Sequence, residues 1–195
     1  MKEIEILVRV LEPKKSALKK LSKFKCTGKK RVYDKYYYHP ANKNMQWSKK
    51  LGLTEFFRVR RKGDKAYITY KKDVFKNKSW LYSDEYETEI SNPETMEKII
   101  EMLKLKPFVT VDNNRTFFYH DDYEITFEDV KGLGIFLEVE RLNLKDEKPE
   151  DVRKDIFKFI DSTGIKVSEE MISGKPELMY NKIHHKKAVE YWKNM

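Results

Sequence analysis

The stretch FFRVRRKGDKAYITYKK, residues 56–72, predicts the fold of this chain more clearly than any other part of it. Apolar and polar side chains alternate along FFRVRR (56–61) and AYITYKK (66–72), and KGDK (62–65) supplies turn-forming glycine and aspartate. Because successive side chains of a strand point to opposite faces, the stretch predicts an antiparallel hairpin with one apolar and one polar face. The residues predicted on the polar face are Arg58, Arg60, Thr69 and Lys71.

Other segments also carry charges at alternate positions, opposite an apolar face. Ile4 and Ile6 alternate with glutamates near the start of the chain, and Leu137 and Val139 do so near residue 140. The charged residues in this pattern are Glu3, Glu5, Arg9, Glu85, Glu87, Glu89, Arg115, Glu128, Glu138 and Glu140. If the apolar faces pack beneath helices, the charged faces turn toward a common interior.

The whole pattern predicts about eight antiparallel strands and four helices in a single domain over residues 1–195. The predicted strands cover residues 3–10, 31–38, 56–61, 66–72, 81–90, 108–119, 123–128 and 135–144. The predicted helices cover residues 13–23, 93–104, 149–161 and 176–192, and the predicted loops include 41–53 and 73–79. This order predicts an α+β fold, an antiparallel eight-stranded β-barrel tunnel with flanking helices.

The charged strand faces permit two interpretations. A charged face on an antiparallel strand is usually solvated. Like charges two residues apart repel each other, so the same pattern on several strands favours a tunnel in which counter-ions bind. Clustered carboxylates favour hard cations such as Mg²⁺ or Mn²⁺, whereas arginine and lysine favour phosphate. Together the two kinds of cluster predict a site for a metal-bound polyphosphate.

The composition limits the class of partner. The chain has 41 Lys and Arg against 32 Asp and Glu, and its net charge of +9 favours polyanionic ligands. The single cysteine, Cys26, excludes an internal disulfide and fits a reducing compartment. The opening MKEIEILVRV has the pattern of neither a signal peptide nor a membrane span. We therefore expect a cytoplasmic protein with no membrane partner.

Six short motifs resemble those of the CYTH family, which includes class IV adenylyl cyclases and thiamine triphosphatases. Each motif is short, but their order and spacing together are specific along nearly the whole chain. They are Glu3-Ile4-Glu5 (similar to ExExK), YDKYYYHP at 33–40 (Asp-x-Tyr…His-Pro), Phe57-Arg58-Val59-Arg60 (LRxR), Thr69-Tyr70-Lys71 (TYK), Glu87-Thr88-Glu89 (ExE) and ITFEDVKGLGIFLEVE at 125–140 (IxLDxVxGLGxFxExE).

The resemblance implies a tunnel enzyme that uses Mg²⁺ or Mn²⁺ on a triphosphate such as ATP, thiamine triphosphate or inorganic triphosphate. The residues that it assigns to the phosphates are Arg58, Arg60, Lys71 and Arg115. The residues that it assigns to metal are Glu3, Glu5, Glu128, Glu138 and Glu140. Glu87 and Glu89 would orient the basic residues or hold a second metal. Glu3 and Glu5 with the four phosphate-binding residues form the expected catalytic set.

Three positions depart from the family pattern. Leu7 stands where ExExK has its lysine, and Asn113 stands where a lysine is expected two residues before Arg115. Glu128 stands where the family pattern has an aspartate, so the negative charge is kept on a longer side chain. Arg9 shares a strand face with Glu3 and Glu5 and is a candidate to replace one lost phosphate contact. The two missing lysines predict a weakened turnover rather than a different fold.

The reaction stays open at this point. Attack of water on the terminal phosphorus would release phosphate, and attack of the ribose hydroxyl of ATP on the α-phosphorus would give a cyclic nucleotide. The alternatives are a non-catalytic binder of nucleotide or polyphosphate and a basic RNA-binding module, and a homodimer is an open question. Nucleic acid is disfavoured by the acidic strands, and the basic runs at 14–15, 19–20 and 29–31 are interpreted as a solvated face. His184 and His185 are interpreted as solvated because no metal-ligand partner stands four residues from either of them.

Overall fold

The computed structural model describes residues 2–48, 52–76, 79–171 and 173–184. These residues form ten strands, four α-helices and a short 3₁₀ helix, Lys43–Met45. The strands are β1 (Lys2–Glu3), β2 (Glu5–Val10), β3 (Lys25–Tyr38), β4 (Glu55–Lys62), β5 (Lys65–Lys76), β6 (Ser79–Ile90), β7 (Lys106–His120), β8 (Tyr123–Val130), β9 (Gly134–Arg141) and β10 (Val167–Glu170). The helices are α1 (Lys14–Leu21), α2 (Pro93–Met102), α3 (Pro149–Thr163) and α4 (Lys175–His184).

The strands are hydrogen-bonded in the order β1-β6-β5-β4-β3-β7-β8-β9-β2-β10. The predicted hairpin at residues 56–72 is confirmed, because β4 and β5 pair antiparallel with Arg58 opposite Thr69. The described residues contain ten strands rather than eight for two reasons. The predicted strand 3–10 divides at Ile4, so that β1 pairs with β6 whereas β2 pairs with β9. The short β10 pairs with β2 and was not predicted, since VSEE has a single apolar residue.

The prediction of a loop at residues 73–79 was wrong at residues 73–76, which belong to β5, and at Ser79, which begins β6. The strand β5 continues to Lys76, because the polar side chain of Asp73 has partners in the neighbouring strand. Its carboxylate accepts hydrogen bonds from Ser83 Oγ at 2.6 Å and from Trp80 Nε1 at 3.3 Å. At the other end of the chain, residues 185–192 of the predicted last helix, with His185, lie outside the described residues.

The chain divides into two compact units, and neither is one continuous segment. The first unit contains Met1–Val32, Asp73–Glu85 and Asn113–Ile172. The second contains Tyr33–Lys72, Tyr86–Asp112 and Ser173–Met195. The prediction of one domain over the whole chain stays a prediction. Among the described residues, none of the helices has the length and apolar character needed to cross a bilayer.

The first unit has its core on one face of β2, β8 and β9. Strand residues at alternate positions are buried there, and α1 and α3 cover them with Leu21 and Ile156. The buried residues on this side are Ile4, between β1 and β2, and the strand residues Ile6, Val8, Val10, Phe118, Ile125, Phe127, Leu137 and Val139. Alternation then requires the intervening polar side chains of these strands to lie on the opposite face.

The second unit is built around the hairpin of β4 and β5. Val59 is fully buried and packs with Tyr37, Ile100 and Leu105, and Ile68 joins them from β5. The helix α2 begins as predicted, because the Asn92 side chain accepts a hydrogen bond from the Thr95 amide and Pro93 takes the first helical position. The apolar face of the hairpin is therefore the face that α2 covers.

Within the second unit, α4 is held in place by the buried carboxylate of Glu177 and by stacked aromatic rings. Glu177 is buried and accepts a hydrogen bond from the Leu53 amide. A Cβ atom at Gly52, where φ is +70°, would lie 2.5 Å from the Glu177 Cγ atom, so only glycine fits both the backbone and the contact. The Tyr180 ring stacks on Phe108 with centroids 4.7 Å apart and contacts Trp47 at 4.6 Å.

Candidate functional site

Arg58 is a buried cation at the centre of the polar hairpin face in the second unit. Its residue is 7% exposed, and its guanidinium donates to Thr69 Oγ1 at 3.1 Å and to Glu87 Oε2 at 3.1 Å. Thr69 also donates to the same Glu87 oxygen at 2.8 Å, which closes a small network. Thr69 and Glu87 therefore fix the direction of the Arg58 guanidinium. The sequence analysis gives Glu87 the role of orienting the basic residues or holding a second metal, and the structure places its carboxylate in contact with Arg58 and Thr69.

Arg60, two residues further along β4, is held by a carboxylate. Its Nε and Nη2 atoms donate to the two oxygens of Asp34 at 2.8 Å each, and Asp34 is 1% exposed. Burial alone would lower the pKa of the Arg60 guanidinium, but the charge and hydrogen bonds of Asp34 raise this pKa well above its ordinary value. Arg60 is therefore a fixed cation, with part of its charge balanced by Asp34.

Two buried lysines add positive charge to the second unit. Lys71 is 8% exposed and lies opposite Phe56 in the hairpin, on the face of Thr69. Lys175, at the first position of α4, is 6% exposed, and sequence reasoning missed it. Its charge acts on the buried Tyr36 hydroxyl together with those of Arg58 and Arg60, although burial and Asp34 keep the pKa of Tyr36 raised. A lysine beside Gly174 and Pro176 at a helix start gives no periodic signal, so pattern analysis could not find it.

The polar face of the first unit is set by strand register. Arg115 on β7 lies opposite Glu128 on β8, and its Nε atom is 2.8 Å from the Glu128 Oε1 atom. The Glu128 side chain is fully buried, and a second guanidinium nitrogen of Arg115 lies 3.8 Å from Glu138 on β9. The predicted neighbours Arg115, Glu128 and Glu138 are thus brought together on the face opposite the core.

A row of three carboxylates crosses the same face. Glu5 on β2 lies directly opposite Glu140 on β9, and Glu140 lies directly opposite Glu124 on β8. The Tyr119 hydroxyl donates to Glu124, and burial together with this carboxylate and Glu140 raises the pKa of Tyr119. Glu124 was not among the predicted site residues, although it stands at the same alternate spacing as Glu128.

Arg9 lies on the strand face of Glu5 and is engaged by the turn before β9. Its Nη1 atom donates to the Leu133 carbonyl at 2.7 Å, and its guanidinium lies 4.6 Å from the centre of the Phe136 ring. Burial lowers the pKa of Arg9. A Cβ atom at Gly134, where φ is +104°, would come within 3.1 Å of Nη1, so this glycine leaves room for the arginine. These contacts fix the guanidinium on the turn.

The remaining predicted residues are Glu89, Glu3, Leu7 and Asn113. Glu89 pairs with Lys65 at 2.8 Å on the surface, where both side chains are about half exposed. Glu3 is half-buried on the short β1, opposite Ser83. Leu7 lies directly opposite Glu138, as its predicted position on the polar face requires. Asn113 is 1% exposed, and neither polar atom of its amide has a hydrogen-bond partner among the described residues.

The carboxylates fit a divalent cation by chemistry. Mg²⁺ and Mn²⁺ prefer oxygen ligands, and the register places Glu5 opposite Glu140, with Glu138 two residues along the same face. Across the part of the chain that the structure describes, no three His, Cys, Asp or Glu side chains are close enough to form a ready metal site. The donor atoms therefore suit the cation, but the described side chains do not preform a cage for it.

Buried cations and carboxylates lie on the polar strand faces, opposite two apolar cores. This arrangement defines a class of antiparallel α+β protein that is suited to a highly charged ligand. The family model of the CYTH domain matches residues 1–171, and the chain belongs to that family. The predicted fold class, an α+β antiparallel CYTH-like fold with flanking helices, is confirmed, as is the resemblance on which it partly rested.

Three proteins are similar to this chain. The Methanocaldococcus jannaschii protein named "Putative adenylate cyclase MJ0240" is 29% identical over 158 residues, 78% of this chain and 86% of the relative. The structure of PH1012 from Pyrococcus horikoshii is 24% identical, with a TM-score of 0.75 over 91% of this chain and 99% of that one. The Hippeastrum protein HpAC1, for which a dominant triphosphatase activity is described, is 18% identical, with a TM-score of 0.63 over 92% and 96% of the two chains.

The Asp34–Arg60 pair gives a prediction about stability. We expect Asp34→Asn to lower the free energy of unfolding by about 3–5 kcal/mol, because it leaves the Arg60 guanidinium buried without its anionic partner. The matched control is Glu89→Gln, which breaks a surface pair of the same unit and should change stability little. Urea unfolding measures both. An equally small effect for the two variants would contradict the assignment of Asp34 as the counter-ion of Arg60.

Proposed function

We propose that this protein binds a metal-bound triphosphate and hydrolyses it. The observation that carries the proposal is the concentration of buried cations in the second unit. Arg58, Lys71 and Lys175 are each less than 10% exposed there, and Arg60 lies beside them on β4. Placing a cation in a site of low dielectric is costly, but it strengthens the attraction for an anionic ligand. A triphosphate carries enough negative charge to balance several such groups.

In this proposal, different residues of the chain bind the phosphates in different ways. Arg58 offers its guanidinium to phosphate oxygens in an orientation fixed by Thr69 and Glu87, and Arg115 is a second candidate for the same task in the first unit. Lys71 acts as a further point charge on the phosphates. Donors that are oriented before reaction stabilise developing charge without a cost of reorganisation.

Metal binding is assigned to the carboxylates of the first unit. Glu5, Glu138 and Glu140 would hold one Mg²⁺ or Mn²⁺ ion, with Glu3 and Glu128 as further candidates. The bound ion supplies charge neutralisation of the phosphates and a lower pKa for a coordinated water. No three described acidic side chains form a ready cage, so these carboxylates would supply only part of the coordination shell of such an ion.

Hydrolysis is preferred over cyclisation because of what the site offers. The candidate groups suit phosphate or metal, and hydrolysis needs only water as a further reactant. Cyclisation would also require groups that hold the ribose with its hydroxyl beside the α-phosphorus. The triphosphatase activity described for HpAC1 supports this choice, while the name of MJ0240 keeps cyclisation as the second candidate. A non-catalytic binder is the third outcome.

Product analysis tests the proposal. The protein is incubated with ATP, inorganic triphosphate or thiamine triphosphate and with Mg²⁺ or Mn²⁺, and the products are separated by ion-exchange chromatography. Inorganic phosphate is the expected product. Cyclic AMP with pyrophosphate would favour the cyclase, and tight binding of a triphosphate without any product would favour the binder. No binding of any of the three ligands would contradict the whole assignment.

Metal binding gives a separate prediction. Mn²⁺ with a non-hydrolysable triphosphate analogue should raise the melting temperature, because a ligand that binds only the folded state stabilises it. Glu138→Gln together with Glu140→Gln should remove the part of this shift that depends on the metal. Differential scanning calorimetry with and without EDTA measures it, and the matched control is Glu147→Gln with Glu169→Gln. If the melting temperature of the double variant at 138 and 140 responds to the metal like that of wild type, these two carboxylates are not the metal ligands.

A further inference from the structure

The positive charge of this protein is concentrated in one short part of the chain. Residues 1–31 contain 11 Lys and Arg against 3 Glu, a net charge of +8 out of +9 for the whole sequence. Residues 14–31 contain nine Lys and Arg and no acidic residue. The remaining 164 residues are therefore almost neutral overall. An ordinary solvated surface mixes both signs of charge, so this distribution needs an explanation of its own.

The structure places four of these nine residues on α1, four on the first half of β3 and Lys23 between the two elements, and we call residues 14–31 the basic surface. Eight of the nine are exposed, and Lys20 is half-buried beside Glu12. Lys14 pairs with Asp129, a pair in which both side chains are well exposed. Among the described residues, the side-chain ammonium groups of five lysines of the basic surface form neither a hydrogen bond nor an ion pair: Lys15, Lys19, Lys25, Lys29 and Lys30.

The first half of β3 is unusual as a strand. Lys25, Cys26 and Thr27 are consecutive and exposed, and so are Lys29, Lys30 and Arg31. A strand in a sheet normally buries one of its two faces, and here neither face is covered. Its backbone is nevertheless fixed in the sheet, so its lysines are held at defined positions rather than on a mobile tail. Such an arrangement can bind a charged chain at a lower cost in entropy.

The absence of apolar groups distinguishes between two kinds of polyanion. Surfaces that bind membranes usually insert exposed apolar side chains beside their basic residues. Within residues 14–31, which the structure describes completely, no large apolar side chain is exposed. Nucleic acid needs no such insertion, since neutralisation of phosphates by Lys and Arg supplies most of its non-specific affinity. The basic surface thus fits a phosphodiester backbone better than a lipid surface.

We propose that the basic surface binds the phosphate backbone of a nucleic acid, without base specificity. This function is separate from the triphosphate chemistry proposed above, and it reverses our expectation from sequence that the basic runs are merely solvated. That expectation rested on acidic residues elsewhere in the strands, whereas the exposed first half of β3 lies within a segment, residues 14–31, that contains no acidic residue.

Binding of a fluorescein-labelled oligouridylate, followed by fluorescence anisotropy at several salt concentrations, tests the proposal. The test variant combines Lys25→Gln, Lys29→Gln and Lys30→Gln. At about 0.1 M salt we expect it to bind roughly 100-fold more weakly than wild type, with a slope of log K against log salt smaller by about 2. Melting temperature and triphosphate turnover should not change, because these side chains are exposed and belong to neither cluster of the site.

The matched control removes three exposed lysines from another part of the chain, Lys98→Gln, Lys104→Gln and Lys106→Gln. It should keep nearly wild-type affinity. Equal losses in the two triple variants would overturn the proposal, because they would show an effect of net charge alone. Absence of oligonucleotide binding by wild type at about 0.1 M salt would also overturn it. So would tighter binding to phosphatidylserine vesicles than to the oligonucleotide, which would assign the surface to a membrane.

Discussion

Replacing Arg58 by methionine is expected to lower kcat/KM for triphosphate hydrolysis by about 10²–10³-fold, the range seen when one oriented donor to a developing anion is lost. The guanidinium is 8% exposed and is aimed by Thr69 and by Glu87 at 3.1 Å. Methionine keeps the length and most of the apolar volume of the side chain, so the loss reports the charge and the hydrogen bonds. Steady-state release of phosphate from the substrate identified by product analysis measures the effect.

The neighbouring residue Arg61 provides the control for Arg58. It lies on the opposite face of β4 and pairs with Glu94 and Glu97, both at 2.9 Å. Arg61→Met removes a charge from the same strand but should leave kcat/KM within a few-fold of wild type. If both variants lose activity equally, or if activity merely follows the folded fraction, Arg58 is not a phosphate ligand. Arg58→Lys adds a finer test, since lysine keeps the charge but lacks the planar fork.

Glu87→Gln separates positioning from binding at the same place. Glu87 accepts hydrogen bonds from both Arg58 and Thr69, so a neutral amide would loosen the guanidinium without removing it. We expect a smaller loss than for Arg58→Met, seen more in kcat than in KM, because the ligand still meets a cation but an imperfectly oriented one. The two variants combined should lose less than the sum of their separate effects, since they act on one contact.

Sequence periodicity could predict which residues share a strand face, and the register confirms that part. The alternation of charges placed Arg115 beside Glu128 and set Arg58 opposite an apolar face, and the structure has both. The pairing of strands distant in sequence lies outside what periodicity can give. The position of β2 between β9 and β10 depends on packing of the whole sheet, and a strand as short as β10 has no pattern of its own.

Of the residues that sequence reasoning missed, Asp34 and Lys175 are placed by contacts between segments that are distant in the sequence. Asp34 stands in an aromatic run and is 26 positions from Arg60, so only the folded sheet shows that the two side chains form a pair. Lys175 reaches its buried position because α4 is anchored by Glu177 against Gly52, a contact between distant segments. Glu124 alone could have been found, since it alternates with Thr126 and Glu128 along one strand face.

Leu7→Lys is the change with the largest expected gain. Leu7 occupies the position at which the family pattern has a lysine, and the structure puts it on the polar face of β2, directly opposite Glu138. A cation there should tighten triphosphate binding and raise turnover by up to roughly 10²-fold, the value of one oriented donor. Leu7→Met is the matched control, because it is unbranched and of similar length but carries no charge, and it should change neither quantity.

Glu138 competes with phosphate as a partner for a lysine at position 7. The assay must therefore distinguish pairing with Glu138 from binding to phosphate. A lysine at position 7 can pair with Glu138 across the strands, and such a pair stabilises a sheet by about 0.2–1 kcal/mol. If this pairing dominates, Leu7→Lys raises the melting temperature of the free protein but leaves kcat/KM unchanged. In that case adding Glu138→Gln should release the lysine for phosphate, and binding of the triphosphate analogue should tighten relative to Glu138→Gln alone.

Arg9 decides how large the gain can be. If Arg9 already supplied the missing phosphate contact, a new lysine at position 7 would be partly redundant. Its guanidinium is instead directed to the Leu133 carbonyl at 2.7 Å and to the Phe136 ring, so we expect the gain in Leu7→Lys to persist in an Arg9→Ala background. Loss of the gain there, with a large drop for Arg9→Ala alone, would identify Arg9 as the phosphate ligand. No change in binding or rate for Leu7→Lys in any of these backgrounds would place position 7 outside the phosphate shell, and the alignment of β2 to the ExExK motif would then be wrong.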